Sequence, residues 1–274
     1  MKTRIQKIIA RSLSLCLATA LLGASAQAAT TLVILEDTFT APYSWGGYLT
    51  GRTPDTSLPG TTWTCVWLES SNTNSQPFVH NSNVVRTLFN GAGYIDISST
   101  GSYAKPTTMT ISADLTINGL TGGSTNGIGL GFFSSSPAQA GGQSIVGFTG
   151  LVLSPDGTLN LMSNGVGVTA YTAPIPGFAT TTTYNLSYSI DTTTGGITSV
   201  SLNGSDLGSI FSSVTGIFTD SATVYAGFFG RSNAYGSTGI IDNFKLTTVI
   251  PEASAIWLIA PAFAFALMLK RRRK

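Results

Sequence analysis

Hydrophobic and polar residues alternate with period two through most of this chain. Met109, Ile111, Ala113, Leu115 and Ile117 form one row, set against Thr110, Ser112, Asp114 and Thr116. Tyr184, Leu186, Tyr188 and Ile190 repeat the pattern against Asn185, Ser187 and Ser189. Successive side chains of a strand point to opposite faces, so each stretch predicts a half-buried β-strand. Further strands are predicted over residues 31–35, 63–69, 84–89, 94–97, 128–133, 145–153, 158–162, 197–203, 224–229 and 239–247. Turn signals punctuate them: Pro155-Asp156-Gly157, Asn164-Gly165, Thr194-Gly195-Gly196 and Asn203-Gly204. Each supplies residues that accept positive φ or nucleate a tight turn. Many short strands so separated predict an all-β sandwich or jelly roll. No fixed period repeats, which disfavours a solenoid or propeller.

The pattern fails at both ends. Lys2, Arg4, Lys7 and Arg11 precede an apolar stretch over 12–23, and Ala26-Gln27-Ala28 supplies small residues around a cleavage point. That is the layout of a secretory signal peptide cut after Ala28. At the other end, Pro251-Glu252-Ala253-Ser254 leads into an uninterrupted apolar run over 255–269. The chain then closes on Lys270, Arg271, Arg272, Arg273 and Lys274. Basic residues beside a membrane segment are retained on the cytoplasmic side, which would place everything before Pro251 across the membrane. As a helix the run measures about 22 Å, short of the ~30 Å hydrocarbon core. Pro261 lies inside it and weakens the helix, so a single transmembrane helix here is a weak permanent span.

Taken together, the two ends resemble the PEP-CTERM class of bacterial surface proteins. Pro251 and Glu252, the apolar run and the block Lys270–Lys274 match its motif order, while Ala253 departs from the second proline. The resemblance implies recognition by an exosortase, a membrane protease-transpeptidase of exopolysaccharide-making Gram-negative bacteria. It also implies export through the inner membrane, transient anchoring by the C-terminal helix, and delivery to the cell surface or extracellular matrix. A plain membrane anchor is the competing reading of the same tail. The expected organisation is a signal helix over 1–28, an exported body over 29–249 and a sorting segment over 250–274.

Removing both labels reverses the charge. The body keeps Arg52, Arg86, Lys105, Arg231 and Lys245 against eleven acids, a net of −6. It has no basic patch with which to neutralise phosphates, so nucleic acid is not an expected partner. At about 220 residues it is long enough for one sizeable core. Cys65 is its only cysteine, which excludes an intramolecular disulfide.

Within the body, the strand ending at Asp191, the strand closing on Asn203-Gly204 and the late Ile241-Asp242-Asn243-Phe244 resemble the concanavalin A-like, laminin-G-type jelly roll. Asp37-Thr38-Phe39 and Gly51-Arg52-Thr53-Pro54-Asp55 leading to Thr62-Trp63 fit the same pattern. The resemblance implies that the late strand returns beside the first one. It also implies carbohydrate as a possible ligand class, which on a matrix protein means exopolysaccharide.

Catalytic chemistry finds little to work with. Glycosidases need two carboxylates at a defined separation, yet Glu36 and Glu69 are the only glutamates of the body and neither has an acid two residues away. His80, the only histidine, stands in a polar stretch and reads as an exposed loop residue, and no nucleophile-elbow motif is present. No catalytic residue and no cofactor are therefore expected. Calcium could be offered oxygens by Asp191 with its following loop, or by Asp242-Asn243, though both read more simply as turn-capping residues. Trp63, Cys65 and Trp67 share one strand face and read as core, while Trp45 is the better candidate for an exposed sugar-stacking ring. The expected function is a non-enzymatic surface or matrix protein, with a carbohydrate-binding module as the alternative.

Overall fold

The computed structural model describes residues 30–40, 49–57, 62–67, 78–81, 84–87, 91–97, 108–117, 126–134, 147–163, 166–171, 173–207, 211, 225–231 and 239–250. By contacts the chain divides into Leu32–Thr248 and a second unit made of its two ends. The first carries the sheets. Its strands are β1 (Thr30–Asp37), β2 (Thr64–Trp67), β3 (Phe78–Asn81), β4 (Val84–Thr87), β5 (Gly91–Asp96), β6 (Thr108–Ile117), β7 (Gly127–Phe133) and β8 (Phe148–Leu153). They continue as β9 (Leu159–Ser163), β10 (Val166–Tyr171), β11 (Thr183–Asp191), β12 (Gly196–Leu202), β13 (Ser205–Asp206), β14 (Tyr225–Arg231) and β15 (Gly239–Ile250). One sheet runs β13-β12-β11-β6-β15-β4-β3, with β1 also paired to β15, and the other runs β10-β9-β8-β7-β14-β5-β2. Among the described residues there is no helix long and apolar enough to cross a membrane.

The alternation read from sequence is what builds the first sheet. On β6, Met109, Ile111, Ala113, Leu115 and Ile117 are buried and the intervening residues are half-exposed. β11 pairs with it antiparallel, placing Leu186 against Ala113 and Tyr188 against Ile111. These side chains join Ile128, Leu130, Leu151, Leu161 and Phe228 of the second sheet in one core. Each such burial stabilises by roughly 1.5–3 kcal/mol. Tyr188 crosses the gap between sheets, donating its hydroxyl to the Leu130 carbonyl at 2.9 Å.

The second sheet is buried on both faces at its centre. β7 and β8 have every residue buried, and a second cluster gathers Ala92, Tyr94, Phe133, Phe148, Val152, Met162 and Phe229 on the face away from the main core. Glycine makes this possible. Gly227, Gly131 and Gly150 are register partners across β14, β7 and β8. A Cβ at neighbouring Gly129 would lie 1.9 Å from the Phe229 ring, and one at Gly131 would lie 2.4 Å from the Thr149 carbonyl oxygen.

Three strands escape the sequence pattern: β3, β10 and β13. His80, expected in an exposed loop, instead lies on β3, paired with Val85 of β4. β3 is short and set in an Asn/Ser-rich stretch, so it carries too few apolar positions to display a period. The Asn203-Gly204 turn forms as expected, with both residues at positive φ (50° and 78°), the requirement of a tight two-residue hairpin.

Candidate functional site

The first strand ends on a charge that the core encloses. Asp37 is 0% exposed, and its carboxylate accepts from Arg52 Nη2 at 2.6 Å and Nε at 2.9 Å, and from Trp63 Nε1 at 2.7 Å. Arg52 is itself buried and reaches Asp55 at 3.1 Å, while Asp55 accepts from the Thr38 amide. Trp63 donates its backbone amide to the Arg52 carbonyl and packs against Phe39, Phe228 and Phe244. Asp37-Thr38-Phe39, the Gly51–Asp55 segment and Thr62-Trp63, widely spaced in sequence, thus close into one clasp. Its chemistry is that of an anchor: a charge pair taken out of water with its lone pairs directed at donors. Trp63 is fully buried here, so it offers no stacking platform.

The outward face of the first sheet is lined by short polar side chains. Asp114 stands between two amides, accepting from Asn185 Nδ2 and from Asn243 Nδ2, each at 2.7 Å. Thr110 pairs with Ser189 and Thr116 with Thr183, and Lys245 Nζ lies 2.9 Å from Glu36. Asp242 accepts from the Asn243 amide. Asp191 accepts from the amides of Thr193 and Thr194, and these bonds hold its carboxyl below the ordinary carboxylate range. Both candidate calcium positions are therefore engaged locally, as turn or bulge caps. Among the described residues, no three His, Cys, Asp or Glu side chains converge as they would around a metal ion.

On the outward face of the second sheet, Tyr225 sits edge-on to Tyr94 with ring centroids 5.2 Å apart and faces Asp96 in register. Burial, then the charge of Asp96, then Tyr94 push the Tyr225 phenol above its ordinary value. Tyr225 and Asp96 are half-buried and Tyr94 is buried, which leaves one phenol and one carboxylate partly open beside each other. Sequence reading missed this group because β5 and β14 become neighbours only through long-range pairing.

The expected sorting and cleavage residues, Ala26, Ala28, Pro251, Glu252, Ala253 and Lys270 to Lys274, lie outside the described residues, as do Trp45 and Glu69. Cys65 and Trp67 are placed on β2 by their backbone.

No protein-family model matches the chain, and no curated protein matches it. Solved structures similar to it include domain 4 of AbnA, a GH43 extracellular arabinanase from Geobacillus stearothermophilus, in complex with arabinotriose. That similarity has a TM-score of 0.44 and 15% identity, over 81% of this chain and 95% of that one. The metal-free carbohydrate recognition domain of Emp46p gives 0.45 and 13%, over 67% and 87%. Trypanosoma rangeli sialidase gives 0.41 and 14%, over 66% of this chain and 28% of that one. At these scores the likenesses assign neither a family nor a ligand. The strand pairings and the shared core define the described region as an all-β sandwich of two antiparallel sheets.

Proposed function

We propose that this chain is a non-catalytic exported β-sandwich of the concanavalin A-like jelly-roll type, sorted to the surface or extracellular matrix of a Gram-negative bacterium. Residues 1–28 direct export, and a PEP-CTERM-type tail presents Pro251-Glu252 to an exosortase-like membrane enzyme. The observation that carries this reading is the order of the tail: motif, short Pro-interrupted apolar run and terminal basic block, beginning at the residue after β15 ends. A cut within 251–254 removes no strand. The engagement of Glu36, Asp37, Asp55, Asp114 and Asp191 in ion pairs, amide bonds and turns supports a body built for stability and not for acid–base chemistry. Mass spectrometry of the surface protein should find a C-terminus within 251–254. Changing Pro251 and Glu252 to Ala should leave insertion intact, because hydrophobicity and the basic block are untouched, yet abolish the cut. An intact Lys274 on the mature protein overturns the reading in favour of a plain anchor.

Carbohydrate binding is a second reading, favoured by the half-exposed Tyr225 beside Tyr94 and Asp96. A half-open phenol and a carboxylate side by side can both hydrogen-bond sugar hydroxyls. On a glycan array, residues 29–249 should retain exopolysaccharide fragments, with Tyr225→Ala weakening retention about tenfold. Equal retention by both proteins removes Tyr225 from the reading.

A further inference from the structure

Tyr225 is the register partner of Asp96 on β5 and of Phe133 on β7. Tyr94 and Phe133 lie on the face of the second sheet that points away from the main core, and Asp96, two residues on from Tyr94, shares that face. Tyr94 is buried between Phe133 and Tyr225, with ring centroids 6.1 and 5.2 Å away. The sheet therefore presents a half-buried carboxylate and a half-buried phenol side by side on a packed aromatic base. Among the described residues, the cations stand elsewhere. Arg52 is buried in the clasp, Lys245 pairs with Glu36 on the other sheet, and Arg86 lies on β4 of that sheet. Arg231 is six residues along β14, a separation of about 20 Å, well beyond the ~8 Å over which charge is felt at physiological salt.

A ligand that covers this pair must replace the water it displaces. A neutral sugar would bring only hydroxyl dipoles and leave the Asp96 charge out of water with no counter-charge. A uronate would set a second negative charge beside it. An ammonium group brings the missing charge and three N–H donors, one for the carboxylate and another for the phenol oxygen. A carboxylate offers about four lone-pair directions, so Asp96 can keep its bonds within the protein and still accept from a ligand. Burial, then the Asp96 charge, hold the Tyr225 phenol protonated, so it adds no second negative charge.

We infer that Asp96 and Tyr225 form a subsite for an amino sugar with a free, protonated amine, as in a glycan whose N-acetyl groups have been removed. This rests on the carbohydrate reading above and names the class of sugar. The body's net charge of −6 draws such a polycation toward the protein at low ionic strength, and the subsite then fixes one amine in place.

The test measures binding of the full chain, held in a detergent without sugar head groups, to glucosamine oligomers and to their N-acetylated counterparts. It is run at about pH 6, where a free amine is protonated. The amine-bearing oligomer should bind at least about tenfold more tightly, the factor of one charge-assisted hydrogen bond. Asp96→Asn keeps the shape of the side chain, removes its charge and should abolish that preference. Asp206→Asn, an equal change of net charge on the other sheet, should leave it intact. Equal binding of the two oligomers, both weakened by Tyr225→Ala, overturns the amine and leaves carbohydrate binding standing. A preference that survives Asp96→Asn, or that Asp206→Asn reduces as much, belongs to the overall charge and overturns the subsite. Binding of neither oligomer overturns the subsite alone if the glycan array finds other ligands, and overturns the carbohydrate reading with it if the array finds none.

Discussion

Asp37 and Arg52 are two charges that water has left, and their arrangement explains why the core tolerates them. Each would lose several kcal/mol of hydration on burial. The loss is offset because the guanidinium meets the carboxylate with both Nε and Nη2 and the Trp63 indole supplies another donor. Removing one partner leaves the other buried and uncompensated. Arg52→Ala should therefore destabilise residues 29–249 by about 3–5 kcal/mol, read as a lower urea midpoint. Replacing Asp37 and Arg52 together with apolar residues should cost far less than the sum of the two single changes. A loss under about 1 kcal/mol for Arg52→Ala, the range of an exposed pair, would remove the clasp from the account of stability. The sequence displayed Trp63 as core through its strand phase, but no local rule links Asp37 to Arg52. Their meeting depends on a loop closing and on β1 finding its place beside β15.

At the scale of elements, β15 shows a strand correcting its own phase. Ile241, Phe244 and Leu246 are all buried, and strict alternation cannot deliver all three from one face. The ladder with β6 slips by one residue between Asp242 and Lys245, so Asp242 and Asn243 both turn outward and Phe244 returns to the core. Asn243 takes φ 50° to do so, a conformation Asn accepts and a β-branched residue resists. Asn243→Val should lower stability by about 1–2 kcal/mol in thermal or urea unfolding, and Asn243→Gly by less. Equal effects would mean the bulge is not held by this backbone. Regular strands such as β6 and β11 were legible because nothing interrupts their period of two. β10 does carry Val166, Val168 and Ala170 at period two, but Gly167 and a single Thr169 between them give too little polar contrast to mark a strand.

For the whole molecule, the all-β class was legible from alternation and turns, whereas the order of strands was not, since pairing such as β5 with β14 joins segments far apart in the chain. The same reason hid Tyr94, Asp96 and Tyr225 as a group. The position of β15 has a mechanical consequence. Under the proposed sorting, a chain attached near Pro251 would take an outside pull through this strand. β15 is gripped along β6 on one side and by β4 and β1 on the other. Tension drawn along such a strand is carried by a row of hydrogen bonds loaded in parallel, as in a lap joint, instead of one bond at a time as in a zip. Drawing β15 out under such tension would require the whole row to yield together, at a higher force than opening it bond by bond.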